Sequence, residues 1–236
     1  MSDLCLILGA PCPARREVAE DLARFAWPEG TPTELLPGSP EDGPGRAWTF
    51  ADGTARLPVP EGKAGVLLTD GRRSQVDQLE ALFRDAPAAG WTIRRLVTVL
   101  DLPLLHRRPA LIPWFKACAH FSDAVVLAGR HGVPNAWLSE LQRDLAESVG
   151  PCLLVPLPRE GGLPRPSEIL EGDPRRMSLV LDDLDAVDEM EFDEDNLPDE
   201  PFDLVRPVDP YFERDTTGRR MRHLPDIAAE LAADAA

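Results

Sequence analysis

Lysine is almost missing from this chain. Nearly all of its 25 basic residues are arginine, and the lysines are Lys63 and Lys116. A loop that neutralises phosphates with a lysine point charge therefore has little to draw on. Cysteine is sparse as well. Cys5, Cys12, Cys118 and Cys152 form no C-x-x-C pair, and His106, His120, His131 and His223 stand at no metal-ligand spacing from them. That pattern excludes zinc ribbons and dithiol redox motifs, and it suits free core thiols in a reducing cytoplasm. No apolar run approaches the ~20 residues of a membrane helix. The opening MSDLCLILG has neither a basic stretch before its apolar residues nor a small-residue cleavage site after them. Leu4–Leu8 therefore reads as a buried strand and not as a secretion signal.

What is present is enough for one α/β domain with an appendage: 236 residues, 43% of them hydrophobic. The net charge of -16 is unevenly placed. Residues 1–165 hold 18 basic and 20 acidic residues, whereas residues 166–236 hold 7 and 21. The body is nearly neutral and the C-terminal part carries the acidity. Such a tail repels phosphate backbones, so neither nucleic acid nor membrane is expected as a partner.

Along the chain, strands and helices alternate. Leu4–Leu8 is a strand, followed by the turn Gly9-Ala10-Pro11-Cys12-Pro13. Val18, Leu22, Phe25 and Ala26 recur at helical spacing until Trp27-Pro28. Residues 28–45 read as a Pro- and Gly-rich loop. Asp52-Gly53 marks a hairpin between 47–51 and 54–59. Strands are expected at 64–69, 93–100, 124–127 and 152–157, and helices at 74–83, 111–121 and 135–149. This rhythm implies a mainly parallel sheet with helices on both faces. No internal repeat is visible. Beyond residue 160 the pattern fails. Twelve acids lie between Asp182 and Asp203, with no Lys or Arg between Arg176 and Arg206. Residues 161–236 therefore read as an acidic, largely disordered tail, with a short terminal helix at 227–235.

The order of these elements over roughly residues 4–155 resembles the CobW-type P-loop GTPases, a metallochaperone-like family. The residues that carry the resemblance are VLLTDGRRSQVDQLEALF (66–83), RLVTVLDLPLL (95–105) and FSDAVVLAGR (121–130). Thr69-Asp70-Gly71, the strand ending in Asp101, and Ser122-Asp123 fall in the family's order. The resemblance implies a P-loop NTPase-like α/β domain over residues 1–160, with GTP and Mg²⁺ as the family's ligands.

The family's chemical motifs are what this chain departs from. A phosphate loop of the form G-x-x-x-x-G-K-[ST] wraps phosphates in backbone N–H groups, with the lysine on the outer phosphates and the hydroxyl on Mg²⁺. Here Gly9 keeps the first position. Ala14 replaces the second glycine, Arg15 the lysine and Arg16 the hydroxyl residue, while Pro11 and Pro13 remove two N–H donors. Where the family reads its base with N-K-x-D, this chain has Ala128-Gly129-Arg130-His131. Residues 28–65, where the family's C-x-C-C metal motif should fall, contain no cysteine.

The phosphate-site positions expected to persist are thus Gly9, Arg15, Arg16, Thr69, Asp70 and Gly71, as vestiges with no catalytic or metal-binding residue among them. Arg15-Arg16 stands at a helix start, where it either holds an anion in a new way or forms a solvated first turn. The pairs Arg72-Arg73, Arg94-Arg95 and Arg107-Arg108 either face water, pair with local acids, or dock the acidic tail. Asp70, Asp101 and Asp123 suit capping and turn roles. The combined reading is a pseudo-GTPase of CobW type that acts as an interaction or regulatory module without a cofactor. Its expected partner is an intact GTPase of that family, or a basic surface bound by residues 181–204 through Leu184, Val187 and Phe192. The alternative is a divergent GTP- or ATP-dependent metallochaperone-like protein.

Overall fold

The computed structural model describes residues 1–160, 162–182 and 208–234. Its centre is a sheet of six parallel strands. These are β1 (Ser2–Leu8), β2 (Thr33–Leu36), β5 (Ala64–Leu68), β6 (Trp91–Asp101), β7 (Ala124–Ala128) and β8 (Leu153–Pro156), in the order β2-β5-β1-β6-β7-β8. A small antiparallel hairpin, β3 (Thr49–Ala51) with β4 (Thr54–Arg56), turns at Asp52-Gly53 as expected. The α/β plan with a mainly parallel sheet is therefore the one implied by the alternating rhythm.

Period-two alternation divides the strand residues between two cores. Leu4, Leu6, Leu8, Leu67, Leu96, Leu100, Val125 and Leu127 face one side. Cys5, Ile7, Val66, Leu68, Val97, Val99 and Val126 face the other. The first face is covered by α2 (Gln75–Asp85), α3 (Leu102–Arg107), α4 (Ile112–His120) and α5 (Asn135–Val149). The second is covered by α1 (Pro13–Phe25) and the short α6 (Pro166–Leu170). The chain moves from β1 outward to β2, then crosses from β5 over β1 to β6. Right-handed crossovers in opposite directions place the helices on opposite faces.

Local chemistry explains several boundaries. Pro13 and Pro113 sit in first turns, where a missing N–H costs nothing. Ser74 caps α2 by accepting from the N–H of Asp77 at 3.2 Å. At the sheet edge, the N–H groups of Leu153 and Leu157 point inward to Asp123 and Leu127. The outward positions therefore include Pro156 and Pro158, which offer no N–H to another strand and blunt the edge.

Packing continues past residue 160. Leu163, Ile169 and Ile227 are buried, the last at the start of α7 (Ile227–Asp234). Arg176 pairs with Asp123, both side chains being 4% exposed. Asp209 bonds His120 at 2.8 Å and Ser178 at 2.6 Å, and Tyr211 and Phe212 join a ring cluster with Phe83 and Phe121. The described parts of the expected tail are thus held to the body by contacts that composition cannot show. The terminal helix lies where it was expected. Of the acidic segment 181–204, residues 183–204 lie outside the described residues, including Leu184, Val187, Met190 and Phe192.

Candidate functional site

In open parallel sheets ligands sit beyond the carboxyl ends of the strands, where the chain reverses direction across the sheet. Here that point lies between β1 and β6. Gly9 leaves β1 with φ +123°, and a Cβ there would stand 2.2 Å from the carbonyl oxygen of Val99. Only glycine fits, because the turn lies directly against the neighbouring strand.

Arg15 lies in the first turn of α1, yet it is 1% exposed. Its guanidinium folds back under the loop. It donates to the carbonyl of Thr69 at 2.6 Å and to that of Ile7 at 3.4 Å, and stands 3.7 Å from Asp42 Oδ1. Burial lowers the Arg15 pKa, and Asp42 opposes that shift. Asp42 is fixed in turn, its other oxygen accepting from the backbone N–H and hydroxyl of Ser39, each at 3.0 Å. Gly71 closes the assembly. A Cβ there would lie 2.6 Å from the Gly9 carbonyl and 2.7 Å from the Arg15 guanidinium.

Gly9, Arg15, Thr69, Asp70 and Gly71 are therefore brought together, and Arg16 is not. Thr69 is fully buried and donates to the Ile7 carbonyl at 3.0 Å. Asp70 accepts from the N–H of Arg72 and pairs with Arg73 at 3.0 Å, so it serves the turn. Arg16 turns outward to Glu20 at 2.7 Å and to the Asp42 carbonyl. Asp101 caps α3 through the N–H of Leu104, with burial raising its pKa. Asp123 accepts from the backbone N–H groups of Leu96 and Arg175, each at 2.9 Å, as well as from Arg176.

The thiols are poor nucleophiles. Cys12 is the N-cap of α1, but burial, aided by Asp101, pushes its pKa up to about 11. Burial raises Cys5 and Cys118 further and takes Cys152 up to about 12. Among the described residues no three His, Cys, Asp or Glu side chains converge to hold a metal. No described helix is long and apolar enough to cross a membrane.

The arginine pairs are engaged. Arg72 meets Glu41, Arg94 meets Asp3, and Arg95 donates to the Gly172 carbonyl. Arg107 and Arg108 hold Asp234 and Glu230 of α7, at 2.8 and 2.6 Å. The pair at 107–108 thus docks the chain's own C-terminal acids, one of the alternatives left open by the sequence.

Two clefts adjoin at the carboxyl ends of β7 and β8, and the first reaches the start of α1. One, of about 450 Å³, is lined by Cys12, Glu17, Asp101, Arg130, His131 and Arg159, among others. A second, of about 870 Å³, shares Arg130, His131, Leu157, Pro158 and Arg159 and continues toward the start of α5. Sequence reasoning missed Arg159 and Asp42. The capping pattern Ser39-Pro40-Glu41-Asp42 was a signal for the latter; a lone arginine after the last strand offered none for the former.

No family model matches the sequence, and no curated protein matches it. Among solved structures, the Zn(II)-bound YjiA GTPase from E. coli aligns with a TM-score of 0.47 and 8% identity, over 74% of this chain and 66% of that one. The chain thus spans just under two thirds of that protein's length.

Proposed function

We propose that this chain is a non-catalytic, P-loop-like module that acts through contacts with other proteins and does not hold a nucleoside triphosphate. The observation that carries the reading is Arg15. Its guanidinium occupies the space beneath the β1–α1 loop, tied to two carbonyls with Asp42 at 3.7 Å. A phosphate placed there would have to displace a buried, charge-assisted contact. The residues also do not fit Mg²⁺·GTP. Pro11 and Pro13 lack N–H groups, and Arg16 faces Glu20 where a metal-binding hydroxyl would be needed. Each charged hydrogen bond lost is worth about 1.5–3 kcal/mol, so several losses take affinity out of the useful range.

An intact GTPase of the CobW type in the cytoplasm is the partner that the sequence resemblance favours. Isothermal titration of the full chain with GTP, and separately ATP, in the presence of Mg²⁺ tests the reading. No saturation is expected. Micromolar, Mg²⁺-dependent binding would overturn it and restore the nucleotide-dependent alternative.

A further inference from the structure

We infer that the cleft between the β7–α5 and β8–α6 loops binds a small organic oxyanion, with Arg130 and Arg159 on the anionic group and His131 beside them. The cleft of about 870 Å³ carries these three side chains and no acid in its lining. In this chain most arginines near the body are spoken for: Arg72, Arg73, Arg94, Arg107, Arg108, Arg176, Arg214 and Arg220 each meet a carboxylate. Arg130 and Arg159 meet none among the described residues, although the net charge is -16. Two guanidiniums with no carboxylate partner stand on one concave surface, and their planar forks match carboxylate or phosphate oxygens.

The remaining lining fixes the shape of the ligand. Apart from Asn135, it is Val133, Pro134, Pro156, Leu157, Pro158 and Pro164, a rim that is apolar and, at its four prolines, conformationally stiff. A stiff rim loses little freedom on binding. The chemistry that fits is therefore a flat or apolar body bearing a doubly charged oxyanion. Glu17 and Asp101 line the adjoining cleft of about 450 Å³, which also includes both arginines. They exclude a second negative group there and offer acceptors for a ligand hydroxyl or amine. This assignment is independent of the function proposed above; it uses neither Arg15 nor a metal ion.

The test uses phenyl phosphate and phthalate as probes, with inorganic phosphate as the headgroup alone, titrated calorimetrically into the full chain without Mg²⁺ at low salt. Saturable binding below about 1 mM by at least one ring-bearing probe is expected. It should exceed that of inorganic phosphate and weaken with added salt. The preferred probe tells phosphate ester from carboxylate. The double variant Arg130→Ala/Arg159→Ala should lose at least about tenfold in affinity. The control Arg56→Ala/Arg143→Ala, which removes two exposed arginines outside the cleft, should lose nothing. All four positions are exposed, and thermal melts of the variants check that folding is intact. Failure of both ring probes to saturate, or equal binding by the Arg130/Arg159 variant, overturns the assignment.

Discussion

Arg15 and Arg176 are both nearly fully buried, at opposite ends of the sheet, and they are held in different ways. Arg15 lies at the carboxyl ends of β1 and β5, donating to two carbonyls, with its carboxylate at 3.7 Å. Arg176 lies at the start of β7, between Asp123 and Asp182. The first arginine lies under the β1–α1 loop; the second fastens a distant segment to the body. The consequences of removing them should differ accordingly.

The larger effect is expected at the fastening end. Asp123→Ala leaves buried Arg176 with Asp182 as its remaining carboxylate and strips acceptors from the N–H groups of Leu96 and Arg175. Two N–H groups left without their acceptor at about 1–3 kcal/mol each, together with a weakened buried pair, are expected to cost about 3–5 kcal/mol. Urea unfolding of the full chain should show it. A loss under about 1 kcal/mol would mean that the pair adds little to folding. At the other end, Arg15→Ala removes one donor from the carbonyls of Ile7 and Thr69. That is expected to cost about 1–3 kcal/mol. Arg15→Lys should recover only part of it, because an ammonium lacks the planar fork. If Arg15→Ala proves the costlier change, the distinction between the two ends fails.

The two ends were also unequally legible. Strands buried on both faces read as continuous apolar runs, so β1, β5, β6 and β7 were plain. β2 was missed because TELL is short, half polar and at an edge; α3 was missed because it has six residues with a proline, Pro103, in its first turn. Gly9, Thr69 and Gly71 could be placed by motif order alone. The inward turn of Arg15 could not, since it depends on Asp42, which a loop read as irregular brings to it. Near Arg176 nothing was legible. Composition showed acidity, and an acidic stretch reads as solvated until its acceptors and donors are seen in space. Asp209 looked like one more acid of the tail, yet it is 7% exposed.

Asp209 gives the finest test of the contrast, because its charge can be titrated. Burial raises its pKa, but hydrogen bonds from His120, Ser178 and the Tyr211 N–H outweigh that and hold it below the ordinary carboxylate value. A carboxyl whose folded pKa is depressed stabilises the fold above its unfolded pKa of about 3.9, and the contribution is lost as pH falls through the folded value. Asp209→Asn keeps the shape and one acceptor but has no charge to lose. At pH 7 the variant should be less stable by about 1 kcal/mol, the net worth of one hydrogen bond. At pH 3 the gap should narrow, because the wild-type carboxyl of the unfolded chain then binds more protons than that of the folded chain. Urea unfolding at the two pH values measures both gaps. A difference that is the same at each would show that the carboxylate's charge does not hold the segment after residue 208, and that its ring contacts with His120 and Phe121 do so instead.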